Sequence, residues 1–255
     1  MDLAGALALG DRALVSFVGA GGKKTAMARL VAEATERGRR AGYTTTTHVP
    51  PPAGLPLVVA EPEGLDEALA RATPPVAFAR SWVAHPERAD RKLRGFDPAV
   101  VDRVHRSGAF DWLAVKADGA RRRPFKAPGP DEPSVPDETT LVVPVVGVSA
   151  VGRPLSTDAV HRVDRVAAAT GLDPGDPIDA AAVGAVLASP EGGLKGVPPG
   201  ATVVPLVNQA DTPELRRTAR AALEHAFAAS DRFERGLVTS FEAEVCEVVT
   251  PADPA

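Results

Sequence analysis

Residues Gly19-Ala20-Gly21-Gly22-Lys23-Lys24-Thr25 bring the ingredients of phosphate chemistry together in seven positions. Glycines let successive backbone N–H groups turn inward on an anion. A lysine supplies a charge for β- and γ-phosphates, and a threonine hydroxyl can ligate Mg2+. The apolar run Ala13–Val18 precedes the loop and a helix-like stretch, Ala26 to Arg39, follows it. The new helix should therefore aim its positive end at the same anion.

The loop departs from the pattern G-x-x-x-x-G-K-[ST]. With Lys23 as the phosphate lysine, Gly22 precedes it correctly, but Lys24 takes the hydroxyl position and Phe17 the first glycine position. With Lys24 in that role, Thr25 follows correctly, but Lys23 and Val18 replace the two glycines. The loop is a variant, one residue shorter than the standard one, and both lysines stay candidates for charge stabilisation. Two rival readings are an ordinary glycine-rich β–α turn and a dinucleotide fingerprint opened by Gly19-x-Gly21. In the second, the last glycine would fall on Lys24, and the next strand would end in Thr44–Thr47 instead of an acid.

Further along, Trp112–Ala117 reads as a buried strand ending in Asp118-Gly119. An aspartate at the carboxyl end of a strand beside a phosphate loop can hold magnesium together with Thr25. A plain Asp-Gly turn is the simpler account. Arg121, Arg122, Arg123 and Lys126 follow at once and could clamp nucleotide phosphates or an anionic substrate, or form a solvated basic loop. Asn208-Gln209-Ala210-Asp211, after the run Thr202–Val207, is similar to the N-K-x-D guanine-reading signature with Gln209 in place of lysine. Asn208 and Asp211 would then favour GTP over ATP, while Asp211 could equally cap the helix that begins at Thr212-Pro213-Glu214.

These residues need a scaffold that gathers strand ends. Short apolar runs alternate with helical spacing, and only 4% of the residues are aromatic, so Val, Leu and Ala must build the core. That pattern predicts a three-layer α/β/α, P-loop-NTPase-like fold with a mostly parallel sheet, formed by residues 1–255 as a single domain. Arg80–Phe96 and the proline-rich 121–136 lack secondary-structure signal, and the second is expected as a mobile rim. A net charge of −4 gives no reason to expect nucleic acid as a partner. The absence of a long apolar run predicts a cytoplasmic protein with no membrane partner. One cysteine, Cys246, excludes internal disulfides and a multi-thiolate metal site, and five scattered histidines support no zinc site. His48, just after the threonine-rich strand, falls where a ligand crevice should open.

Taken in order, Val18–Lys23, Lys116–Pro128, Glu132–Pro136, Val145–Leu155 and Asn208–Asp211 resemble the YqeC-type selenium-dependent hydroxylase accessory proteins over nearly the whole chain. The resemblance implies a nucleotide-binding helper in maturation of a selenium-dependent molybdenum hydroxylase, with that enzyme or a cofactor-insertion protein as partner. Two departures stand out. Lys116 occupies a position where the family often has an acid, leaving Asp118 alone for magnesium. Lys24 stands at the first hydroxyl position of G-G-K-T-T, leaving the role to Thr25. Mg2+-dependent binding and hydrolysis of GTP or ATP is the expected activity. The alternatives are a non-catalytic binder of a nucleotide or anionic pterin-type cofactor, and a small-molecule kinase.

Overall fold

A computed structural model describes residues 1–85 and 88–252. In chain order the elements are α1 (Leu3–Ala6), β1 (Ala13–Gly19), α2 (Lys23–Glu36), β2 (Ala41–Thr45), β3 (His48–Val49), β4 (Leu57–Val59), α3 (Leu65–Ala70) and β5 (Val76–Ala79). Then come β6 (Ser81–His85), β7 (Arg88–Arg94), α4 (Pro98–Arg106), β8 (Trp112–Lys116), β9 (Phe125–Lys126), β10 (Leu141–Gly147), β11 (Val160–His161) and α5 (Val163–Thr170). The last are α6 (Ala180–Ala188), β12 (Thr202–Val203), β13 (Leu206–Asn208), α7 (Pro213–Ala229), β14 (Gly236–Ser240) and β15 (Val245–Val249).

The main sheet runs β15-β14-β13-β10-β1-β8-β2-β5-β4, with β12 beside β10. Every pairing in it is parallel except that of β15, the antiparallel edge strand. Two-residue periodicity sorts the strands' side chains between two helical layers. Val15 and Phe17 of β1 join Met27 and Leu30 of α2 on one face, whereas Leu14 joins α4 residues Val101 and Val104 on the other. Across the sheet, Leu206 and Leu237 belong to the first layer, while Val207 and Val238 pack with Ala222 and Leu223 of α7. The chain is thus a three-layer α/β/α structure with a mostly parallel sheet. Among the described residues no helix is long and apolar enough to cross a membrane.

Three local expectations change. Arg80–Phe96, without a recognisable pattern, contains the β6–β7 hairpin, which pairs with β3 as a separate three-stranded sheet. Thr157–Thr170 has helical spacing throughout, yet the helix begins only at Val163, because β11 pairs with β9 first. Segment 121–136, without secondary-structure signal, contains β9: Phe125 and Lys126 pair with β11, Ser134 N–H donates to the Ala117 carbonyl at 2.9 Å, and Thr46 Oγ1 donates to the Ser134 carbonyl at 2.6 Å.

Candidate functional site

Parallel strands deliver their carboxyl ends to one edge of the sheet, and β1 turns there into the glycine loop. Gly19, Gly21 and Gly22 hold φ of +87°, +73° and +135°, a region that side chains resist. Space is closed to them as well: a Cβ on Gly21 would stand 2.0 Å from the Gly147 backbone nitrogen, and one on Gly22 2.1 Å from Asn208 Nδ2. Gly22 caps α2 with no side chain to spend on the free amides. Its carbonyl accepts from Thr25 N–H at 2.9 Å and Ala26 N–H at 3.0 Å, and Ala20 N–H reaches Val145. Among the described residues, the N–H groups of Gly21, Gly22, Lys23 and Lys24 meet no acceptor. Four donors at the start of a 14-residue helix form the arrangement an anion requires.

Lys23 opens α2 directly after Gly22, but its side chain turns inward. Its ammonium donates to the Gly19 carbonyl and stands 2.7 Å from Asp118 Oδ1. Asp118 Oδ2 accepts from Gly19 N–H and from Lys126, both at 2.8 Å. Lys126 continues to Glu132 Oε2 at 2.7 Å, where Arg162 also arrives at 2.7 Å. Five alternating charges therefore link the loop to the residue that precedes α5. Burial alone would raise the Asp118 carboxyl, but Lys23 and Lys126 outweigh it and hold it below the usual range. Burial pushes the Lys23 ammonium down, against the pull of Asp118.

The loop lines a cleft of about 780 Å³ that is strongly cationic although the chain is net negative. Lys23, Lys24, Lys92, Lys116, Arg121, Arg122, Arg123 and Arg153 line it, and Glu132 is the single carboxylate among the lining residues. Arg121 and Arg122 hold left-handed backbone, φ +46° and +63°, a strain commonly found at functional turns. Lys116 ends β8 and donates to Thr47 Oγ1 at 2.8 Å and the His48 carbonyl at 2.9 Å. Burial, then the nearby ammonium of Lys23, lowers its pKa to about 7.

Not all residues singled out from the sequence meet here. Ala20, Gly21, Gly22, Lys23, Lys24, Thr25 and Arg121–Arg123 line the cleft. Lys126 does not: it is 1% exposed and lies behind the wall, neutralising Asp118. Asp118 is likewise 1% exposed, with two ammonium groups on its oxygens, so it cannot share a cation with the exposed Thr25 in this arrangement. A divalent ion at Asp118 would be pressed against Lys23 and Lys126, and the donor set does not fit magnesium. Among the described residues no three His, Cys, Asp or Glu side chains gather as a metal site.

Asn208 and Asp211 also leave the cleft. Asn208 Nδ2 donates to the Gly21 carbonyl at 2.8 Å while its Oδ1 accepts from Thr239 Oγ1 at 3.0 Å. Asn208 therefore buttresses the loop from below, with one donor and one acceptor site of its amide used in doing so. Asp211 accepts from Ser240 Oγ at 2.6 Å, and Thr212, not Asp211, caps α7. Lys92, Lys116, Glu132 and Arg153 are the additions. Lys116 and Glu132 stand in segments the sequence already marked, Lys116 as the last residue of the strand that precedes Asp118.

Glu132 gives the ladder a pH signature. Burial would raise its carboxyl, but hydrogen bonds from Arg162 and Lys126 hold it down at about 2, against an ordinary 4.5. A depressed carboxyl contributes stability that is complete above pH 4.5 and lost as the pH falls towards 2, on the order of 3 kcal/mol at most. Urea unfolding across that range is expected to show a steeper loss for wild type than for Glu132→Gln. Parallel curves would place the acid sensitivity elsewhere.

Fold and cleft together define an α/β protein with a cationic, glycine-looped crevice at the carboxyl edge of its sheet. The chain belongs to the YqeC family, whose model, described as YqeC protein, matches residues 15–164. It is 34% identical over 199 residues to the Escherichia coli (strain K12) protein described as "Uncharacterized protein YqeC", covering 77% of this chain and 75% of that one.

Proposed function

We propose that the cleft binds a nucleotide through its phosphates, as part of a nucleoside-triphosphate-dependent accessory step. The observation that carries this reading is the set of four amides at the head of α2 that meet no acceptor among the described residues, facing a cleft whose described lining has eight basic residues, Lys23 turned inward, and one carboxylate. Phosphates seat on the amides of Gly21 to Lys24, and Lys24 with Arg121–Arg123 neutralises the chain of charges. Lys23 acts from behind, holding the loop on Asp118. The base specificity is open to both ATP and GTP, since neither Asn208 nor Asp211 lines the cleft.

Hydrolysis would be mostly positioning and charge stabilisation, with no covalent intermediate. The sealed state of Asp118 favours a second reading, a binder without turnover that grips a nucleotide or an anionic pterin-type cofactor. A role in maturing a molybdenum hydroxylase rests on the family resemblance. Calorimetric titration with ATP and GTP, with and without magnesium, followed by phosphate-release assays, tests these readings. Nucleotide binding without phosphate release would select the second reading, and no nucleotide binding would remove the first. Lys23→Ala is expected to cost more nucleotide affinity than Lys24→Ala, because it frees the loop from β8 while Lys24→Ala removes one exposed charge. Equal losses would undo that division of roles.

A further inference from the structure

We propose that Lys116 is the cation that meets the outermost phosphate of the bound nucleotide, a role the sequence motif would give to Lys23. The inference rests on the nucleotide reading above. Lys23 is spent: it is 5% exposed and holds both the Gly19 carbonyl and Asp118, so turning it to a ligand would unseat the loop. Lys24 is exposed, and no side-chain hydrogen bond fixes its ammonium among the described residues.

Lys116 differs from both. It sits one strand from the loop, opposite Phe17 on β1 and Thr45 on β2, two residues before the point where β1 gives way to the glycines. Only 7% exposed, it makes no ion pair among the described residues, and its two partners, Thr47 Oγ1 and the His48 carbonyl, are neutral. Those bonds use two of three ammonium donors and fix the group at a wall that Thr47, His48 and Lys116 share. A buried ammonium is ordinarily matched by an anion. Among the described residues no carboxylate contacts it, so an anion in the cleft would supply that counter-charge, and an ammonium already oriented on the wall loses little entropy in meeting it.

The full-length protein is titrated with AMP, ATP and inorganic tripolyphosphate, comparing wild type, Lys116→Met and Lys116→Arg, with thermal melts to confirm folding. Wild type is expected to prefer ATP over AMP. Lys116→Met should weaken ATP and tripolyphosphate by about tenfold to a hundredfold, while AMP changes by less than about twofold and Lys116→Arg recovers much of the loss. Should Lys116→Met not fold, Thr47→Val removes one anchor of the ammonium and is expected to narrow the same ATP-to-AMP ratio several-fold, on the scale of one hydrogen bond. An unchanged ratio, or an equal loss for AMP and ATP, overturns the role of Lys116 and leaves nucleotide binding standing. Failure of wild type to bind any of the three overturns both.

Discussion

Asp118→Ala is expected to be the most damaging single substitution in this protein, lowering the urea midpoint by an amount equivalent to about 3–5 kcal/mol. A domain stable by only about 5–15 kcal/mol loses much of its margin to such a change. The carboxylate stands between two ammonium groups that are 5% and 1% exposed, and it also receives the Gly19 amide. Truncation leaves Lys23 without its counter-charge and Lys126 with Glu132 alone. Asp118→Asn separates the effects: it retains an acceptor for Gly19 N–H but not the charge. Because an unpaired buried lysine is easier to hold neutral, raising the pH towards 10 should recover part of the Asp118→Ala loss relative to wild type. A variant as stable as wild type would show that the charge ladder contributes nothing net.

The second large effect is expected at Gly21, with binding lost further than stability. An alanine Cβ there would stand 2.0 Å from the Gly147 nitrogen, 2.5 Å from its Cα and 2.8 Å from the Pro124 carbonyl, at a φ of +73°. None of these neighbours is a flexible side-chain end, so the loop itself must move. Left-handed backbone costs about 1–2 kcal/mol and overpacking about 1–3 kcal/mol more. Displaced amides no longer converge, so the nucleotide affinity proposed above should fall by about two orders of magnitude or more, the scale of losing two charge-assisted hydrogen bonds. Gly38→Ala is the control, since Gly38 has a similar φ of +67° with nothing within 4 Å of its Cβ position. The difference between the variants in melting and titration isolates the steric term. Equal behaviour would mean that the loop tolerates displacement.

Much of this arrangement was legible in the sequence because its determinants are local. Continuous apolar runs such as Leu141–Val148 mark strands buried on both faces, and the glycine spacing marks a loop that needs positive φ. Proline at the head of α4 and of α7 marks helix starts in the same way. The β6–β7 hairpin is hard to read in the sequence because Arg88–Arg94 is mostly charged, with Leu93 its single large apolar residue. Val204-Pro205 divided the run expected as one strand into β12 and β13, since proline cannot donate to a ladder.

The sequence by itself determined the strand–loop–helix unit, the layer order and the presence of cations near the loop. It could not assign partners to those cations, because Asp118, Lys126, Glu132 and Arg162 are neighbours only through the crossing of β8, β9 and the start of α5. Tertiary structure decided that Lys126 balances a buried acid while Lys116 faces the cleft. It also placed Asn208 beneath Gly21, where its amide props the loop. The physical reason is common to all three: a charged or polar side chain takes its role from the partners that burial leaves it, and long-range strand pairing sets those partners.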